Sequence, residues 1–80
     1  WDFALSDFNS AITLAPTYPE AYYLRGLFFS NLSMGGGIEQ IDLAIADFEA
    51  VGALTTGIYA ELSQTAISNL LQQRAVLSAP

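Results

Sequence analysis

Four stretches of the chain place apolar residues at i, i+3, i+4 and i+7, and short runs rich in proline, glycine or threonine separate them. No stretch alternates as a half-buried strand would, so the periodicity restricts the chain to helices. In the first stretch, WDFALSDFNSAITLA, Trp1, Ala4, Leu5, Phe8, Ala11, Ile12 and Ala15 share one side, with Asp2, Asp7, Asn9 and Ser10 between them. Pro16 ends it. Pro16 and Pro19 each push the preceding residue out of helical geometry, which makes PTYP a connection. Pro19 then suits the first turn of a second helix, where Glu20 complements the positive end of the dipole. This second helix, PEAYYLRGLFFSNL, is apolar on nearly every side and must be covered on more than one face or line a binding surface. A third runs from Ile38 or Glu39 to about Val51 with Ile41, Ala44, Ile45 and Phe48 inward, and GALTTG closes it. The fourth, from Ile58 to about Leu77, carries Tyr59, Leu62, Ala66, Ile67, Leu70 and Leu71, while Glu61, Gln64, Ser68 and Gln72 point elsewhere. The expected fold is all-α: four helices on short connections, neighbours antiparallel.

Eighty residues make one small domain that buries only part of its surface. With 52% apolar and 12% charged residues, some of that surface is expected to meet another chain. The sequence opens on Trp1 rather than Met and is expected to be a piece of something longer. Two arginines stand against eight carboxylates, and the net charge of -6 argues against nucleic acid and against anionic membrane surfaces. No apolar run is long enough to span a bilayer, so no membrane insertion is expected. Without cysteine or histidine there is no disulfide, thiolate nucleophile, histidine base or zinc site. The carboxylates Asp2, Asp7, Glu20, Glu39, Asp42, Asp47, Glu49 and Glu61 mostly fall on polar faces and read as solvated. DLAIADFE lacks the spacing and glycine of a calcium loop. No catalytic residue, metal or cofactor is therefore expected, and the chain is read as non-enzymatic.

The chain also repeats itself. ALSDFNSAI (4–12) superposes on AIADFEAVG (44–52), matching Ala4 with Ala44, Asp7 with Asp47, Phe8 with Phe48 and Ala11 with Val51, and YYLRGLFF lies between. These residues resemble the tetratricopeptide repeat, a helix pair with aromatic-x2-Leu-Gly-x2-Tyr in its first helix and Ala-x3-Phe with a closing Pro in its second. Tyr22, Gly26 and Phe29 match the first helix, Ala44 and Phe48 the second, and Ala4, Phe8 and Pro16 the second helix of a preceding half repeat. The resemblance implies a superhelix of antiparallel hairpins. Residues 1–16 would be the end of one repeat, 17–57 a repeat with an insertion near 33–43, and 58–80 a capping or partial-repeat helix. Gly26 in mid-helix costs about 1 kcal/mol against alanine, so a close helix approach is expected there, with Ala4, Ala11 and Ala44 as the small residues at hand. Phe8, Phe29 and Phe48 are the expected large knobs.

Three positions depart from the pattern. Arg25 stands where the family has leucine, Thr56 replaces the closing proline, and Phe8 to Phe48 spans 40 residues instead of 34. The lengthened interval contains SMGGG (33–37). A glycine-rich turn before a helix is a candidate anion cradle, but no Lys-Ser/Thr follows and Glu39 and Asp42 repel an anion. The glycines are expected to supply positive φ angles and slack, and shortening 33–43 by six residues to preserve stability. Asn31-Leu32-Ser33 fits a glycosylation acceptor, at a helix end and with no secretion signal.

The resemblance implies a non-enzymatic interaction module, a scaffold or assembly factor. It places Glu20, Tyr23, Leu27, Ser30 and Asn31 on the concave side, where a peptide or partner helix would lie. That face has no cations to clamp a terminal carboxylate, so an apolar to basic protein partner is expected. Tyr23 and Leu27 packed beneath the fourth helix is the alternative reading of the same residues. A helical accessory segment of a larger enzyme complex, with no groove of its own, is the alternative function. Trp1, Phe3 or Leu5 on the N-terminal helix is expected to leave a side open for self-association.

Overall fold

The computed structural model describes residues 2–33 and 37–78. Four helices account for nearly all of them: α1 (Asp2–Leu14), α2 (Pro19–Ser33), α3 (Ile38–Leu54) and α4 (Ile58–Ser78). The all-α expectation holds, and no strand occurs among the described residues. Trp1, Gly35 and Gly36 lie outside the described residues, as do the side chains of Phe3 and Ala4. The one marked shift in a boundary is the end of α3, which runs through Gly52 to Leu54 and stops at Thr55 in extended geometry, its N–H bonded to the Val51 carbonyl.

Helix α2 is the hub. It packs most extensively on α3 and also touches α1 and α4, whereas among the described residues α1 touches α2 alone. This is what its all-round apolar sequence requires, since one covered stripe would leave the rest in water. Phe8 of α1 meets Phe28 of α2 edge to face at 5.8 Å. Arg74 near the end of α4 bonds Asp42 near the start of α3, so those helices run antiparallel. The long dimensions are 41 and 30 Å but the short one only 13 Å. Two helix axes about 8–10 Å apart already occupy such a thickness, so the helices form a thin slab rather than a bundle of square cross-section.

The core lies between α2, α3 and α4. Ile41, Ala44, Phe48 and Val51 are fully buried and Leu70 of α4 nearly so, with Tyr23, Phe29, Ile45, Ala66 and Ile67 packed around the cluster. The expected inner face of α3 is correct, with Ile45 at its edge. Gly26 is buried, and a β-carbon there would lie 2.8 Å from Phe48 Cε1 and 3.0 Å from Cζ. Close approach at Gly26 is thus real, but its partner is the Phe48 ring rather than an alanine; Ala11 is exposed. The glycine makes a socket for the aromatic.

Two positions of the slab are suboptimal. Gly52 lies inside helical α3, exposed, with open space where a β-carbon would go. Ser63 of α4 is 1% exposed and its hydroxyl has no hydrogen-bond partner. Gly52→Ala is expected to add up to about 1 kcal/mol through backbone entropy. Ser63→Ala is expected to add about 1 kcal/mol by removing a buried unpaired hydroxyl. Urea midpoints followed by helicity check both; a drop in either midpoint contradicts the packing described.

Candidate functional site

The sequence points to three places, the glycine-rich turn, the carboxylates and the α2 face, and each resolves differently. At the turn, Gly37 is the N-cap of α3 with φ -125° and ψ 148°, extended backbone open to any residue. The expected positive φ is therefore absent at Gly37, and no described glycine has one. The Gln40 side chain folds back over Gly37 and Glu39 occupies the first turn, so a carboxylate rather than an anion site complements the dipole. Both arginines are engaged with carboxylates of α3. The lengthened interval is mostly helix: α2 continues to Ser33, α3 starts at Ile38, and Ile41 is fully buried. Removing six residues from 33–43 would leave the two helices no turn or take Ile41 from the core, so the shortened chain is expected to lose stability rather than keep it.

Among the carboxylates, Asp47 overturns the solvated reading. It is 4% exposed and accepts two bonds from Arg25, Nε to Oδ2 at 2.9 Å and Nη2 to Oδ1 at 2.7 Å. Arg25 Nη1 donates to Asn9 Oδ1 at 2.8 Å, and the guanidinium lies 5.8 Å from the Tyr22 ring centre. Tyr22 in turn donates its hydroxyl to the Pro16 carbonyl at 3.0 Å. A planar fork that binds a carboxylate bidentately and still reaches a third acceptor suits arginine and not lysine. The hydrogen bonds that Arg25 donates to Asp47 hold the Arg25 pKa above its ordinary value. One side chain therefore joins α1, α2 and α3. An arginine at position 25 is what the carboxylate facing it requires. The counterpart Asp7 in α1 is exposed. The signal was available: Asp47 is three residues beyond Ala44, on the buried stripe, so a carboxylate there needs a cation. Arg74–Asp42, by contrast, is a half-exposed single bond at 2.8 Å, a type worth at most about 1 kcal/mol.

The α2 face brings some of the expected residues together. Tyr23 is half-buried, its ring edge-on to Phe48 at 5.7 Å and to Tyr59 of α4 at 5.2 Å. Ser30 is half-buried and donates its hydroxyl to the Gly26 carbonyl at 2.9 Å. Leu27 is 38% exposed and Asn31 exposed. Glu20 is half-buried and accepts from the Tyr18 hydroxyl at 2.8 Å. That bond and the carboxylate's charge raise the Tyr18 pKa. Leu24, 48% exposed, is a member of this face that the family pattern does not mark. With it, Glu20, Leu24, Leu27 and Asn31 recur at i, i+4, i+7 and i+11, one stripe that is half-buried at Glu20 and open from Leu24 to Asn31, beside the Tyr23–Tyr59 pair. Helical spacing alone would have found it.

Among the described residues no group of histidine, cysteine, aspartate and glutamate side chains is arranged to hold a metal ion, and no helix is long and apolar enough to cross a membrane. Comparison of the chain with protein-family models, with characterised proteins and with solved structures finds no match.

Proposed function

We propose that the protein is a helical interaction module of tetratricopeptide type, whose α2 face receives an apolar segment of another protein. The observation that carries the reading is the Glu20–Leu24–Leu27–Asn31 stripe, open from Leu24 onward and bordering two tyrosines fixed by ring contacts. Rigid aromatic groups next to exposed leucines anchor partners at small entropic cost. Glu20 lies at one end of the stripe, so a basic residue flanking the partner's apolar positions is favoured. The preferred partner is an amphipathic helix or extended segment with a few apolar anchors and flanking Lys or Arg.

Selection of displayed peptides against the chain tests this. Enriched peptides are expected to combine apolar and basic residues, and to bind the Leu24→Ser/Leu27→Ser variant at least tenfold more weakly while its helicity is unchanged. Enriched peptides that bind this variant as well as the parent would refute the reading.

A further inference from the structure

We propose that the outer face of α4 is a self-complementary seam on which a second copy of this chain packs antiparallel. Ile58, Leu62, Thr65, Asn69, Gln72 and Val76 recur with spacings of 4, 3, 4, 3 and 4, the a/d pattern of a two-helix seam. All six are exposed, Ile58 at 65%, Leu62 at 44% and Val76 at 75%. They lie about 120–140° around the helix from Ser63 and Leu70, on a flank that α4 does not bury. The packing that holds α4 in the slab leaves the seam untouched.

Charge and symmetry select the occupant. Every carboxylate of the chain lies at or before Glu61, so residues 62–80 carry none, in a protein of net charge -6. Most other faces of two copies would bring carboxylates together; this one does not. A two-fold axis near Ile67 sets Ile58 against Val76 of the second copy, Leu62 against Gln72 and Thr65 against Asn69, each an a position facing a d position. The apolar ends Ile58 and Val76 thus meet each other, Leu62 lies along the aliphatic stem of Gln72, and Thr65 and Asn69 meet in the middle, where a polar layer fixes register. Such a two-fold contact uses one patch twice and closes. Beside the seam Glu61 faces Ala75 of the second copy, so no like charges oppose.

The size of the seam sets its strength. A helix of 21 residues is ~31 Å long and about 10 Å wide, so two copies cover roughly 600 Å², below the ~1,200 Å² of a stable interface. A reversible, concentration-dependent dimer follows. The surface belongs to α4 and does not depend on the α2 stripe.

The chain has no cysteine, so single introduced thiols report the pairing. Ile58→Cys and Val76→Cys chains, mixed and oxidised, are expected to cross-link with each other several-fold more than either does with itself. The parent is expected to show a concentration-dependent dimer in sedimentation, which Val76→Glu weakens at least tenfold without loss of helicity. Leu24→Ser/Leu27→Ser is expected to leave the dimer intact. Val76→Cys cross-linking with itself as readily would overturn the antiparallel arrangement. Cross-linking no greater than that of Leu14→Cys on α1, where the side chain is 86% exposed, would overturn the seam, as would a dimer indifferent to Val76→Glu.

Discussion

Truncating Phe48 to alanine is expected to remove most of the chain's stability. The ring is fully buried, sits in the Gly26 socket and takes the edge of Tyr23. It joins the two helices that share the most extensive packing. Removing a buried phenyl costs about 3–5 kcal/mol, against roughly 4–12 kcal/mol for a domain of this length. The socket supplies a reciprocal experiment. Gly26→Ala gains about 1 kcal/mol of helix propensity but puts a carbon 2.8 Å from a ring held by the core, where overpacking costs about 1–3 kcal/mol. The variant is expected to be less stable than the parent, and Phe48→Leu in the same chain to recover part of the loss. Urea unfolding followed by circular dichroism reads both. A Phe48→Ala loss below 1 kcal/mol, or a Gly26→Ala chain more stable than the parent, would mean that the ring is not in the socket.

Removing the Asp47 carboxylate is expected to have the next largest effect. Asp47→Ala leaves the Arg25 guanidinium facing a dry wall, and breaking a buried pair from one side costs about 3–5 kcal/mol. Arg25 keeps 23% of its side chain in water, so a loss at or below the bottom of that range, about 2–3 kcal/mol, is expected. Arg25→Leu strands the carboxylate and is expected to cost a similar amount. The double variant has nothing left unpaired and is expected to recover more than half of the summed loss. Additive losses would show that the two side chains do not depend on each other. Because Arg25 also holds Asn9, the single variants are expected to loosen α1 first, seen as faster amide exchange there.

The four helices were legible because breakers and a 3.6-residue period are local signals, and α2's lack of a polar side foretold its position among three neighbours. The repeat pattern marked Gly26 as a contact point, but spacing cannot tell which side chain fills a socket, so alanines were expected where a phenylalanine sits. The Arg25–Asp47 pair escaped because aspartate was sorted with the polar faces although position 47 lies on the buried stripe, and the three-dimensional pairing identifies Arg25 as the cation. At the glycine run, composition led to an expectation of positive φ that Gly37 does not meet. On the α2 face the family pattern chose Tyr23, which packs against the core, and Ser30, which is half-buried and bonded to its own helix, and passed over the open Leu24.

The central claim is that the packed sides of α2 are spent on α1, α3 and α4, leaving the Glu20–Leu24–Leu27–Asn31 stripe to receive a partner. Amide chemical-shift mapping during titration with a peptide selected against the parent chain tests it most directly. The largest shifts are expected at Glu20, Leu24, Leu27 and Asn31, with smaller ones at Tyr23 and Tyr59. Shifts confined to α1 or to the outer face of α3, with α2 unmoved, would contradict it.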